Sequence, residues 1–424
     1  MVEGRTTPAP GPAGVIAIDV IRKLPKTDLH VHLDGSIRIS TLIDLAREYG
    51  VGLPSGTVDG MKDLVFKEKY RSLDEYLEGF NYTIPVLQSE FALERVAYEL
   101  AQDCQEEGVR YVEVRFAPQL HVHTHMSIEN VMRSVNRGLE RARREFNLRP
   151  EVASGTEPRF EYGIVVCALR FFAKGWSDYY DKILDVHRFC SAERIFSLAS
   201  LELAQAAVRI RREHGVPIVG FDLAGREAGF PAGDHFEAYQ FAHKHFLMKT
   251  VHAGEAYGPE SIFQAITDLH ADRIGHGTFL LSTDKIKDPT IVDRGRYIEE
   301  LAQYIADRRI TMEICLTSNM QTNPEITRIE NHPYVGMRER RLSTTFCTDN
   351  RTVSGTTVSR EIDLAVRHLG ILPDELKRCV IYGFKRSFFP GTYLEKRRYV
   401  RTIIDYYETL ESRHPELRSP ASTD

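Results

Sequence analysis

Residues 27–38, TDLHVHLDGSIR, constrain this chain more than any other stretch. In an extended strand, residues two apart point to the same side, so His30 and His32 direct two imidazoles at one point, with Asp34 next on that side. The opposite face carries the apolar side chains Leu29, Val31 and Leu33. This pattern is typical of a strand covered on both sides. A His-x-His pair alone is weak evidence for a metal site, so its meaning depends on further ligands downstream.

Composition narrows the classes of function. A chain of 424 residues with 42% hydrophobic residues can bury the core of one large domain. The formal net charge of −5 is small, and no run of Lys and Arg marks a surface for nucleic acid or membrane. We therefore expect a small-molecule partner, no nucleic acid and no membrane. The sequence leaves the oligomeric state open.

The ends of the chain and its cysteines bear on domain organisation and location. Residues 6–14 are rich in Pro, Gly and Ala, and the apolar patch at 15–21 is too short for a secretory signal. We predict a flexible leader over 1–23, a single domain over 24–412 and a flexible tail over 413–424. Six scattered cysteines without a CxxC pair favour reduced thiols and a cytoplasmic location.

Strand-like and helical patterns alternate along the chain. Ser72 and Ser89 are predicted helix N-caps, and an i, i+3, i+4 pattern follows Ser89 as far as Gly108. Seven further predicted strands span 109–118, 160–169, 216–225, 247–255, 272–280, 310–319 and 343–350. Eight strands with helices between them predict an α/β fold, the (β/α)8 TIM barrel. Extra helices are expected after the first strand, partly covering the mouth, and at the C-terminus.

Polar residues gather where such a barrel places its chemistry, at the C-terminal ends of the strands. They are His30, His32, Asp34, Asp222, Gly225, His252, Glu255, His276, Ser318, Asn319, Asp349 and Asn350. Each one has an ordinary structural explanation, since a strand-end Asp commonly orients the next turn and a lone His is usually structural. Their joint placement at one end of successive strands predicts a functional site.

A divalent metal accounts for several of these residues together. Three imidazoles, on His30, His32 and His252, and the carboxylate of Asp349 suit one Zn2+ per chain, with a position left for water. Zinc can bring the pKa of such a water to about 7. His276 could accept a proton from that water or hold the hydroxide by electrostatics, and a protonated Glu255 could act as an acid.

Six ordered motifs resemble one known family. PKTDLHVHLDGSIR, FDLAGRE, VHAGE, RIGHG, ICLTSN and CTDN, spread over residues 24–389, resemble the adenosine deaminase family of the metal-dependent amidohydrolase superfamily. The resemblance implies a (β/α)8 barrel with one catalytic zinc on His30, His32, His252 and Asp349. It also implies hydrolysis of adenosine, and of 2′-deoxyadenosine, to the inosine product and ammonia.

The resemblance implies roles toward the substrate as well. Glu255 would give a proton to purine N1, zinc hydroxide would attack C6, and His276 would assist proton transfer. Asp349 is counted with these catalytic residues. Asp34 would meet a ribose hydroxyl and the backbone N–H of Gly225 would meet purine N3. His32 is also expected beside the substrate.

Asn350 departs from the family pattern, which has a second aspartate at this position, thought to donate a hydrogen bond to purine N7. An amide NH2 always donates, so the contact with N7 is chemically preserved. The carbonyl oxygen of Asn350 could also accept a hydrogen bond from a donor on the substrate. A deaminase of adenine or of another modified 6-aminopurine nucleoside is therefore the alternative. A non-catalytic binding protein is disfavoured because Glu255, His276 and every expected ligand are present.

Several other polar residues carry two interpretations. His121, His123 and His125 could form a second metal site, but solvated turn residues are the favoured interpretation. Glu113 and Arg115 alternate into the barrel interior, where a buried structural ion pair is expected.

Overall fold

A computed structural model describes residues 16–419 of the chain. Its eight strands are parallel and follow one another in a single sheet in the order β1 to β8. The strands are β1 (Lys26–His32), β2 (Val109–Phe116), β3 (Glu161–Leu169), β4 (Ile218–Ala224), β5 (Met248–Ala253), β6 (Arg273–His276), β7 (Thr311–Ile314) and β8 (Ser343–Phe346). The predicted (β/α)8 barrel is confirmed.

Helices surround this barrel and also fill the two predicted extra regions. Those between β1 and β5 are α2 (Ile39–Tyr49), α3 (Val58–Leu64), α4 (Leu73–Leu77), α5 (Phe80–Thr83), α6 (Glu90–Glu106), α7 (Ile128–Asn147), α8 (Pro150–Ala153), α9 (Asp178–Val186), α10 (Ala192–His214) and α11 (Phe236–Lys244), with α1 (Ile18–Lys23) preceding β1. Those after β5 are α12 (Pro259–Thr267), α13 (Arg294–Arg308), α14 (Leu316–Thr322), α15 (Tyr334–Glu339), α16 (Val358–His368), α17 (Pro373–Arg386) and α18 (Tyr393–Arg413). In the described part of the chain, none of these helices is long and apolar enough to cross a membrane.

The barrel closes between the end of β8 and β1. The backbone N–H of Asp349 donates to the carbonyl of His30 at 2.8 Å, and the N–H of His32 donates to the carbonyl of Asp349 at 2.7 Å. Val31 and Asp349 form the corresponding parallel bridge. Closure therefore joins, through the backbone, three of the residues predicted as metal ligands.

Local sequence signals act as expected. Ser72 and Ser89 accept hydrogen bonds from backbone N–H groups three residues on, at the starts of α4 and α6. The predicted apolar stripe of α6 is buried, and Gly108 follows that helix with a φ of 90°. A positive φ is inexpensive for glycine, so the chain can turn sharply into β2 there.

The later strands are shorter than predicted. Predicted strands over 272–280, 310–319 and 343–350 shrink to four residues each in β6, β7 and β8. At the end of β6 His276 takes a φ of 64°, and shortly after β8 Asp349 takes a φ of 60°, which ends the extended conformation. The apolar residues that follow these strands are buried in loops and helices. Their apolar composition resembles that of a buried strand, which is why the sequence predicted longer strands.

Buried charges fill the floor of the barrel, below the strand ends that carry the predicted site. Arg273 donates to the carboxylates of Glu113 and Glu313, and its guanidinium lies 3.5 Å from the ring centre of Phe388. Arg115 donates to Glu313 at 3.0 Å. The expected buried ion pairing is present, but Glu113 pairs with Arg273 and not with Arg115, because each reaches across the barrel interior.

The domain boundaries stay a prediction. Most of the predicted leader, residues 1–15, and the last five residues lie outside the described part of the chain. Within the segment assigned to the leader, α1 buries Val20 and Ile21. These two side chains join the hydrophobic core, which explains why that end of the segment is helical.

Candidate active site

Four side chains predicted as metal ligands converge at the mouth of the barrel. One donor atom from each of His30, His32, His252 and Asp349 lies within 4.8 Å of the other three. His32 Nε2 is 3.2 Å from His252 Nε2, and Asp349 Oδ1 is 3.3 Å from His30 Nε2 and 3.5 Å from His32 Nε2. Among residues 16–419 this is the one group of three or more His, Cys, Asp or Glu with such spacing.

Carboxylates behind the cluster orient two of its imidazoles. His30 Nδ1 lies 2.8 Å from Glu313 Oε2, and His252 Nδ1 lies 3.1 Å from Asp222 Oδ2. Each Nδ1 therefore carries the proton and donates it, which turns the lone pair of each Nε2 into the cluster. Asp222 thus holds a predicted ligand, in addition to accepting from the N–H of Leu223.

The donor set fits a divalent cation. His30 Nε2 is buried and has no hydrogen-bond partner. Lone pairs on the Nε2 atoms of His30 and His252 face the same space, where they repel each other unless a positive charge lies between them. Three imidazole nitrogens and one carboxylate oxygen are a set that Zn2+ accepts. A metal is therefore the simplest group that satisfies these buried atoms.

Strained backbone positions two of the predicted catalytic residues. Asp349 and His276 both lie in the left-handed region of φ, which is uncommon for residues other than glycine and clusters at functional sites. Asp349 Oδ2 accepts from Ser318 Oγ at 2.6 Å and from the hydroxyl of Tyr76 at 3.4 Å. Its other oxygen, Oδ1, is left to face the imidazoles.

Glu255 lies beside the cluster, in a cavity at the mouth of the barrel. Its carboxylate is 3.7 Å from His276 Nε2. Burial, as the largest cause, together with the charges of Asp349 and Glu227 raises the pKa of Glu255 to about 8. A carboxyl group with this pKa is largely protonated at neutral pH and can donate. The cavity is lined by His32, Leu73, Tyr76, Leu77, Phe80, Ala224, Gly225, His252, Glu255, His276, Asp349 and Asn350, so α4 and α5 cover part of the mouth, as predicted.

Glu227 is a residue of the site that the sequence analysis missed. Its buried carboxylate accepts hydrogen bonds from four successive backbone N–H groups, at 254–257, and from the hydroxyl of Ser261. It therefore ties the loop after β4, which carries Gly225, to the loop after β5, which carries Glu255. Glu227 stands within the FDLAGRE motif, but no local pattern shows that its partners lie some thirty residues further on.

Three of the four residues predicted to contact substrate, His32, Gly225 and Asn350, line this cavity, whereas Asp34 is not among its lining residues. Asp34 is buried, burial raises its pKa to about 7, and its Oδ1 has no partner. Gly225 lines the cavity with a φ of 92°. Asn350 Nδ2 donates to the hydroxyl of Tyr76 at 2.9 Å, while its Oδ1 is buried without a partner. A Cβ at Gly35 would lie 1.7 Å from that Oδ1, so glycine is needed there.

Two predicted placements are wrong. Ser318 and Asn319 were expected at the end of a strand, but both lie in α14, because the chain turns into a helix directly after Cys315. They still face the site: Ser318 donates to Asp349, and Asn319 Nδ2 lies 3.0 Å from His276 Nδ1.

The second wrong placement is that of His121. It was expected to be a solvated turn residue, but it is fully buried, and burial lowers its pKa to about 4. Gln88 Nε2 lies 3.4 Å from its Nδ1. His123 is half-buried and His125 is exposed. The three histidines do not bring their nitrogens together as a metal cluster within the described residues.

Comparison with known proteins gives a consistent result. The family model for adenosine deaminase matches residues 25–174 and 183–406. An adenosine deaminase 1 of Streptomyces coelicolor is 36% identical over 375 residues, covering 88% of this chain and 84% of that protein. An adenosine deaminase of Mycobacterium avium is 36% identical over 379 residues, covering 88% and 93%. The solved structure of an Arabidopsis N6-mAMP deaminase is 27% identical, with a TM-score of 0.68 over 91% of this chain and 99% of that chain.

Proposed function

The chain belongs to the adenosine deaminase family of hydrolytic deaminases, and we propose that it converts adenosine, and 2′-deoxyadenosine, to the corresponding inosine and ammonia. The observation that carries this proposal is the placement of Glu255. This residue lines the same cavity as His32, His252 and Asp349, three of the four residues in the predicted metal cluster. A proton donor beside a metal site is what hydrolysis of an aromatic amine requires.

We assign the metal to His30, His32, His252 and Asp349 and propose that it is Zn2+, one per chain. When bound, a zinc ion lowers the pKa of a coordinated water to about 7, which makes a nucleophile available at neutral pH. Glu313 and Asp222 hold the imidazoles of His30 and His252 in the orientation that ligation needs. Mutation of such partners commonly lowers metal affinity or activity by about 10- to 100-fold.

Glu255 supplies the acid. Protonation of purine N1 withdraws electrons from C6, so that C6 accepts the oxygen of water while the N1–C6 double bond opens. The proton from Glu255 stays on N1 in the inosine product. Of the two water protons, one leaves with the amino group as ammonia and the other restores Glu255, so the protons balance over one turnover.

The remaining residues hold the substrate in this proposal. Asp34 binds a ribose hydroxyl, and the backbone N–H of Gly225 donates to purine N3. His32 lines the cavity beside them. Asn350 Nδ2 carries two hydrogens, one donated to Tyr76 and one left for purine N7.

A second candidate function is deamination of adenine or of a modified 6-aminopurine nucleoside. One observation favours it: Asn350 Oδ1 is a buried acceptor with no partner. A substrate that carries a donor on this edge would satisfy that atom, whereas purine N7 cannot.

A panel of substrates tests these two functions side by side. Purified protein loaded with Zn2+ is given adenosine, 2′-deoxyadenosine, adenine and N6-methyladenosine, and kcat/KM is measured by ultraviolet absorbance and ammonia release. We expect the highest kcat/KM with adenosine or 2′-deoxyadenosine, and a kcat/KM at least about 100-fold lower for the Glu255→Gln protein as the low-activity control. A higher kcat/KM for adenine or a modified nucleoside would replace the proposal by the alternative.

A further inference from the structure

A chain of buried hydrogen bonds leads from the backbone behind the site to His276. The backbone N–H of Tyr334 donates to His332 Nδ1 at 3.0 Å. His332 Nε2 is 3.2 Å from Asn319 Oδ1, and Asn319 Nδ2 is 3.0 Å from His276 Nδ1. The side chains of His332, Asn319 and His276 are each 1% exposed, so water does not compete for these bonds. We call this set the His332–Asn319–His276 chain.

The direction of every bond in this chain follows from its first member. A backbone N–H can only donate, so His332 Nδ1 accepts. Burial lowers the pKa of His332 to about 3, so His332 is neutral and its proton sits on Nε2. That proton is donated to Asn319, which must therefore present its carbonyl oxygen to His332. The amide nitrogen then faces His276.

Turning the amide of Asn319 around does not give an alternative. Its NH2 group would then face the Nε2–H of His332, and two donors would oppose each other in a buried site. The amide orientation is thus set by the neutral imidazole behind it. His276 Nδ1 must accept from the amide N–H, and a neutral His276 carries its proton on Nε2.

We propose that Asn319 and His332 are positioning residues that hold neutral His276 as its Nε2–H tautomer, so that His276 donates a hydrogen bond to the attacking oxygen and does not take its proton. This inference rests on the function proposed above. It separates the two roles left open by the sequence, since a neutral imidazole whose Nδ1 accepts and whose Nε2 carries hydrogen has no free lone pair for the water proton.

The surroundings of His276 fit a donor. Its Nε2 lies 3.7 Å from Glu255 Oε1, and both residues line the cavity that would hold the purine. Proton accounting does not need His276 as a carrier, because the water protons end on ammonia and on Glu255. A fixed N–H aimed at the place where negative charge develops on oxygen stabilises the transition state.

Nuclear magnetic resonance on zinc-loaded protein labelled with 15N-histidine tests the tautomer directly. The two ring nitrogens of a neutral imidazole have different chemical shifts when one carries hydrogen, and the His276 signals are identified by their loss in His276→Ala. We expect the Nε2–H tautomer for His276 and for His332. An Nδ1–H tautomer at His276 would falsify the proposal, and this readout does not depend on whether any substrate is turned over.

Asn319→Asp tests the consequence for catalysis with almost no change of shape. One carboxylate oxygen still accepts from His332, but the other can only accept from His276, so a neutral His276 must carry its proton on Nδ1. The Nε2 donor is then lost, and we expect kcat to fall about 100- to 1,000-fold, with KM changed by less than about twofold. Asn319→Ala removes the bond without reversing it, so its kcat should fall less.

Asn323→Asp is the matched control, since it adds the same charge one turn further along, where Asn323 Oδ1 already accepts from a backbone N–H. Its kcat should stay at the wild-type value. Metal content measured by elemental analysis should be equal in all variants. If Asn319→Asp keeps the wild-type kcat with a normal fold, the His332–Asn319–His276 chain has no part in catalysis. If the wild-type protein deaminates no 6-aminopurine while the tautomer is as expected, the proposed function fails and the tautomer assignment stands.

Discussion

The mouth and the floor of the barrel are both built from buried ionisable residues, yet they differ in how completely their acceptor atoms are paired. On the floor every carboxylate oxygen of Glu113 and Glu313 accepts a hydrogen bond. At the mouth three buried acceptors have no donor: His30 Nε2, Asp34 Oδ1 and Asn350 Oδ1. An unpaired buried acceptor costs free energy, so the mouth is the region that a metal and a substrate would complete.

Glu313 joins the two regions. One of its oxygens accepts from Arg273 and Thr250 in the floor, and the other accepts from Arg115 and from His30. Glu313 therefore connects the ion pairs of the floor to His30 and fixes the orientation of this predicted metal ligand. This comparison predicts that changes at the mouth act on activity and changes at the floor act on stability.

Removal of the metal should have the largest effect on activity. We expect a chelator to abolish deamination while the circular dichroism spectrum stays native, because the floor is paired without the metal. Adding Zn2+ back should restore turnover. Full activity in protein that elemental analysis shows to hold no metal would contradict the prediction that the mouth of the barrel needs a metal for activity.

Glu255→Gln should lower kcat about 100- to 10,000-fold, since the amide cannot give a proton to N1. Metal content should be unchanged because Glu255 is not among the ligands. Wild-type kcat/KM should fall as the pH rises through the pKa of Glu255, because only the protonated form donates; burial raises that pKa to about 8, and a cation beside it lowers it. Glu237→Gln, at an exposed position, is the control. Normal turnover by Glu255→Gln would show that another group is the acid.

Glu113→Ala should leave kcat per folded molecule unchanged and lower the free energy of unfolding by about 3–5 kcal/mol, because Arg273 loses one of its two buried carboxylates. Urea unfolding measures the loss. Glu94→Ala, which breaks the surface pair with Arg137, should cost less than about 1 kcal/mol. Equal losses of unfolding free energy in the two variants would mean that the buried ion pairs of the floor stabilise the fold no more than a surface ion pair does.

Asn350→Ala should have the smallest effect on activity. If it removes a buried hydrogen bond to N7, kcat/KM for adenosine should fall by an amount equivalent to about 1–3 kcal/mol of transition-state stabilisation. Steady-state kinetics measure this difference, and Asn350→Asp provides the comparison with the family pattern. If Asn350→Ala leaves kcat/KM unchanged for adenosine yet lowers it for a modified purine, the contact belongs to the second candidate function.

Much of the fold could be predicted because its signals are local. The alternation in β1, the N-cap at Ser89 and the glycine at 108 are each set by neighbours within a few residues, and each acts as expected. The ends of β6, β7 and β8 could not be placed, because buried loop and buried strand share the same apolar residues. His121 was misplaced because its surroundings are not local: Gln88, whose Nε2 lies 3.4 Å from its Nδ1, is 33 residues away in the chain.

The sequence by itself determined the barrel and the identity of the residues around its mouth, because strand periodicity and residue type are written locally. Only the tertiary structure decided how those residues are oriented. The pairing of Glu313 with His30, of Glu227 with the loop of Glu255, and of His332 with Asn319 joins residues far apart in the chain or in different structural elements. Hydrogen bonds over such separations depend on where the folded backbone brings each donor and acceptor, and no local pattern carries that information.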